Sequence, residues 1–146
     1  MRALLTALVA LVLLAPSAVA DESVAIASRS HRGLVLSVDD QSEPVTLQPR
    51  EVAGAQWRVN VSNGGFLTVV NWDLRGCLTA FAVDDVRVLE CIGTPSQSWV
   101  DQPRAGGWHA LGNAAHAGLC LTAIRPFDPV EMTPCASGDR DQEWRW

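Results

Sequence analysis

Carboxylates, amides and aromatic rings stand together at a few points of this 146-residue chain. Phe127 and Asp128 sit between Pro126 and Pro129, Asp141 precedes Gln142, and Trp72 lies between Asn71 and Asp73. Further acids come in pairs, Asp39–Asp40 and Asp84–Asp85. A carboxylate can accept two hydrogen bonds from neighbouring hydroxyls strongly enough to compete with water. A ring face covers apolar C–H surface, and an amide offers a donor and an acceptor together. Those three groups in one place suit a polyhydroxylated ligand. Two readings of each residue stand side by side. Either Phe127, Asp128, Asp141 and Gln142 form a ligand site, or the acids and prolines only make turns and Phe127 folds back onto the core. Trp72 is exposed for stacking or protein contact, or it caps one end of a barrel.

Catalysis finds less support. His31, His109 and His116 fall at strand ends or in loops, and no serine or cysteine nucleophile motif accompanies them. Asp139, Asp141 and Glu143 alternate along a loop and strand; solvated turn acids explain them, with calcium ligation as the alternative. The expectation is a binding protein without catalytic residues, metal or cofactor.

Positioning such groups needs a frame, and the first constraint on it is covalent. Residues 1–20 read as an export leader: Arg2, an apolar run from Ala3 to Leu14, and Ala18-Val19-Ala20 as a cleavage site. That run is too short to span a bilayer, which takes about 20 residues. Four cysteines in an exported chain imply two disulfides with three possible connectivities. The formal net charge of −5 argues against nucleic acid as a partner. Membrane insertion is not expected either. Asn60-Val61-Ser62 is a formal glycosylation sequon.

The second constraint is a repeat. Trp57, Trp99 and Trp144 recur at a spacing of roughly 40 residues. Upstream lie matching apolar columns: Leu36, Leu78, Leu121; then Val45, Val86, Val130; then Leu47, Val88, Met132. Units of this length share a core with their copies. Cys77 and Cys91 occupy the same two places in the second unit as Cys120 and Cys135 in the third, so the repeat selects Cys77–Cys91 and Cys120–Cys135. The first unit holds Val35 and Arg50 there. Each unit reads as four short strands. In the second these are Phe66–Val70, Cys77–Phe81, Val86–Glu90 and Gln97–Asp101, with Asp84-Asp85 as a break. Closing three such units around a pseudo-threefold axis, tryptophans inward, gives an all-β, β-trefoil fold. The repeats run over about 22–63, 64–105 and 106–146, in one domain from residue 21. Trp108 and Trp146 are expected in the core or at the barrel end.

Cys-Leu-Thr, then Val-x-Val-x-x-Cys, then Gln-x-Trp resembles the ricin B-chain type of trefoil lectin and the related carbohydrate-binding modules. Gln97-Ser98-Trp99 and Gln142-Glu143-Trp144 match; the first unit departs, with Ala55 in the glutamine place. In the resembled lectins an Asp two places after the first Cys, an aromatic two places before the second, and an Asn before the Gln hold galactose. Here those places hold Ser37, Thr79 and Thr122; Gln48, Leu89 and Thr133; and Gly54, Ser96 and Asp141. The resemblance therefore implies a secreted, lectin-like module with its usual galactose site erased. Two functions follow as expectations: recognition of a glycan through altered or displaced contacts, or contact with a secreted or cell-surface protein, as in toxin accessory subunits or trefoil protease inhibitors.

Overall fold

The structure, a computed structural model, describes residues 22–146. The leader expected at residues 1–20 lies outside the described residues. Twelve strands follow one another: β1 (Ala27–Ser28), β2 (Leu34–Ser37), β3 (Thr46–Pro49), β4 (Trp57–Val61), β5 (Leu67–Asn71), β6 (Cys77–Ala82), β7 (Asp85–Leu89), β8 (Trp99–Arg104), β9 (Trp108–Asn113), β10 (Leu119–Thr122), β11 (Glu131–Pro134) and β12 (Trp144–Arg145). The helices among the described residues are two 3-10 turns, Pro95–Gln97 and Arg140–Gln142, and none could cross a membrane.

The strands form one curved, antiparallel sheet in the order β3-β2-β1-β12-β9-β8-β5-β6-β7, with β4 on β5 and β10 joining β9 to β11. Most strand ends of the second unit lie one to three residues from the sequence expectation, and two of these shifts have a local cause. Gln97 lies in a 3-10 turn, so the closing strand begins only at Trp99, because Pro95 fixes a helical φ at the start of that turn. Asp85 opens β7 instead of breaking the chain, since its partner across the β6 hairpin is Ala82.

Two features give the sheet its closure. Hairpins β4–β5 and β8–β9 straddle the boundaries expected between repeats, and β12 pairs with β1, Trp144 against Ser28. The tips of hairpins β2–β3, β6–β7 and β10–β11 meet: Val45 N–H donates to Val86 O at 2.8 Å, Val130 N–H to Val45 O at 2.9 Å, and Met132 N–H to Val83 O at 2.6 Å.

The core collects the columns that alternate inward along these strands. Trp57, Trp99 and Trp144 are fully buried, and each indole N–H finds the same partner, the carbonyl of Leu36 (2.8 Å), Leu78 (2.9 Å) and Leu121 (3.0 Å) respectively. An indole buried without that acceptor would leave an unpaired donor. The disulfides are Cys77–Cys91 and Cys120–Cys135, as the repeat selects. In the first unit Val35 takes the cysteine place and packs with Ala25 and Ala55, flanked by Ala27 and Val52. Ala55 is the residue in the glutamine place, so both departures of that unit meet in one apolar plug.

Candidate functional site

In the places where the resembled lectins carry their carboxylate, the side chains turn inward. Thr79 and Thr122 are buried, and their hydroxyls donate to Cys77 O at 2.8 Å and Cys120 O at 2.9 Å. Ser37 is buried too and donates to Ala53 O at 3.1 Å. The glutamines use the same hydroxyls. Gln97 Nε2 donates to Thr79 Oγ1 and Glu90 O, while its Oε1 accepts from Ile92 and Gly93 N–H. Gln142 Nε2 donates to Thr122 Oγ1, Thr133 Oγ1 and Pro134 O, and its Oε1 accepts from Ala136 N–H. Gln142 is 1% exposed. It ties a turn and turns no polar atom towards a ligand.

The other site residues read from the sequence are dispersed. Phe127 is exposed and holds a left-handed φ of 65°, strained for a bulky residue. Asp128 faces Arg125 at 3.6 Å and lines a shallow cavity of about 300 Å³ with Ile124, Pro129 and Glu131. Asp141 lines a different cavity altogether, so Phe127, Asp128 and Asp141 do not share a pocket. Trp72 is half-buried, with the guanidinium groups of Arg58 and Arg75 at 4.9 and 5.2 Å from its ring. Trp146 packs against the core and lies 4.4 Å from the His109 ring. Among the described residues no three acids, histidines or cysteines are grouped to hold a metal ion.

A cavity of about 850 Å³ lies where the β1–β2 turn meets the second 3-10 turn. One wall is the β1–β2 turn, with Arg29, Ser30, Arg32 and Gly33; the other is the 3-10 turn with Asp139, Arg140 and Asp141, and Trp108 of β9 lies beside them. Local structure fixes each wall. Gly33 takes the φ of 83° that turns the chain into β2. His31 Nε2 donates to Ala123 O at 2.9 Å, anchoring the turn to the third unit. Asp139 accepts from Asp141 N–H at 3.0 Å and so caps the 3-10 turn.

Charge organises this cleft. Glu143 is buried and ion-paired with Arg29, whose guanidinium lies 5.5 Å from the Trp108 ring centre. Arg145 packs on the same indole at 4.1 Å. Arg32 and Arg140 form no side-chain hydrogen bond or ion pair among the described residues, and neither does the Asp141 carboxylate. The sequence reading passed over these arginines because they fall in turns outside the repeated columns. Their clustering in two turns was the one signal present, and only the β1–β12 pairing brings the two turns together.

No protein-family model matches the sequence, and no curated protein matches it. Solved structures do. The GlcNAcα1-4Gal-releasing endo-β-galactosidase from Clostridium perfringens superposes with a TM-score of 0.73 at 13% identity, over 83% of this chain and 31% of that one. The fold is trefoil-like. A mosquitocidal holotoxin is similar at TM-score 0.74 and 14% identity, over 88% of this chain and 17% of the toxin. The Polyporus squamosus lectin, bound to Neu5Acα2-6Galβ1-4GlcNAc, is similar at TM-score 0.68 and 15% identity, over 82% of this chain and 46% of the lectin. The chain thus spans less than half the length of each of these, and at such identities the likeness speaks for the fold.

Proposed function

We propose that the protein is an exported β-trefoil of three four-stranded repeats that works as a lectin-like binding module. It recognises a glycan through altered or displaced contacts; of the usual galactose positions, only the asparagine place of the third unit, here Asp141, lines the cleft. The observation that carries this reading is the cleft between the first and third units. It gathers an indole, unpaired guanidinium groups and an unpaired carboxylate on a frame of lectin-like fold. The usual positions support displacement, because Ser37, Thr79 and Thr122 spend their hydroxyls on backbone carbonyls. The role is binding, without a catalytic step, and the place of action is outside the cell.

Binding is tested by titrating isotope-labelled protein with a panel of mono- and oligosaccharides. Shifts confined to residues 27–33, 108 and 139–141 are expected. A panel that shifts nothing at millimolar concentration, or that shifts residues around Thr79 and Thr122 instead, overturns the reading.

A second reading, contact with a secreted or cell-surface protein, draws on the exposed apolar side chains Val61, Phe81, Ile92 and Phe127. It gains if a partner is captured from the native extracellular medium and Phe81→Ser or Phe127→Ser abolishes capture.

A further inference from the structure

We infer that the cleft between the first and third units reads the carboxylate of an acidic sugar, a uronic or sialic acid type of residue. The inference rests on the glycan-binding reading above and adds the ligand class. Three arginines line the cleft, Arg29, Arg32 and Arg140, in a protein of net charge −5. Their counter-charges are unequal. Glu143, behind the wall, is committed to Arg29, and Asp139 spends an oxygen on the cap of the 3-10 turn. Asp139 keeps its charge, so the lining sets three guanidinium groups against the carboxylates of Asp139 and Asp141, and Arg32, Arg140 and Asp141 form no ion pair among the described residues.

A neutral sugar offers these guanidinium groups only hydroxyl oxygens, which are weaker acceptors than a carboxylate. A carboxylated pyranose matches the complement: its acid group accepts from the planar guanidinium donors, and its vicinal hydroxyls donate to Asp141. Arg29, already paired with Glu143, serves here as a fixed wall beside the two open guanidinium groups. Its buried partner holds it against Trp108, so fewer of its rotamers are lost when a ligand arrives. The acidic surface elsewhere repels the same ligand, which restricts it to this cleft.

The test uses the intact protein and matched probes: trigalacturonate against its methyl ester, and sialyllactose against lactose, read by calorimetry and by the indole N–H resonance of Trp108. An acid is expected to bind at least about tenfold tighter than its neutral partner, with affinity falling as salt rises. Arg32→Ala and Arg140→Ala should each weaken the acid about fivefold, and the neutral sugar by a clearly smaller factor. Both side chains are exposed, so the variants are expected to fold. Arg140→Lys should recover part of the loss, and Arg125→Ala, on the separate Asp128 cavity, should change nothing.

If acid and neutral sugar bind this cleft equally, the inference fails and the glycan reading stands. If no saccharide binds, both fail. Equal shifts from acetate alone at matched concentration would mark a nonspecific anion site and overturn the inference.

Discussion

Gly54 and Gly33 both hold left-handed backbone, at φ 75° and 83°, yet they answer to different constraints. A Cβ on Gly54 would lie 1.8 Å from the Val38 carbonyl oxygen, whereas one on Gly33 meets nothing within 4 Å. Gly33→Ala is therefore expected to cost only the backbone term, roughly 1–2 kcal/mol. Gly54→Ala adds a backbone collision and should cost clearly more, or prevent folding. Urea titrations of the two variants check this, and equal losses would contradict the packing around Gly54. Residues of this kind show what the sequence discloses. The three buried tryptophans were legible because an indole repeated with its apolar columns has only one economical place to go. Arg32 and Arg140 were not, since an exposed arginine in a turn looks the same whether or not a partner turn faces it.

At the scale of elements, each unit secures the same turn by its own means. The second and third use a disulfide and a buried glutamine; the first uses the apolar plug of Val35, Ala25 and Ala55. The sequence marked this departure as a loss, and only the packing shows that the two substitutions compensate one another. A loop of 14 or 15 residues closed by a disulfide is worth about 3 kcal/mol by chain entropy. Reduction should lower stability by that order per bond and loosen β6–β7 and β10–β11 while β2–β3 is spared. Hydrogen exchange with and without reductant reads the difference, and uniform loosening of all three hairpins would count against unit-by-unit clamping. Strand positions were legible to within one to three residues where alternation ran unbroken. They shifted at Pro95 and Asp85, where turn chemistry overrode the pattern.

At the scale of the whole molecule, closure depends on the pairing of β1 with β12 and on the ion pair of Arg29 with Glu143 across it. Glu143 is buried and Arg29 partly exposed, so the pair ranks between a buried and a surface bridge. Glu143→Ala should cost about 1–3 kcal/mol and release Arg29 from Trp108. Glu143→Gln, which keeps one acceptor, should cost less. Thermal melts together with the Trp108 indole resonance check both effects, and an unmoved resonance would show that Arg29 is held by something else. The all-β, trefoil-like frame was legible from periodicity, whereas the seam was not, because its two walls lie at opposite ends of the chain. That separation has a temporal consequence. Protein synthesis proceeds from the amino end, so a nascent polypeptide that has not yet delivered Asp139–Asp141 and β12 has only half of the recess. The recess is complete only once both turns have been made and β12 has paired with β1.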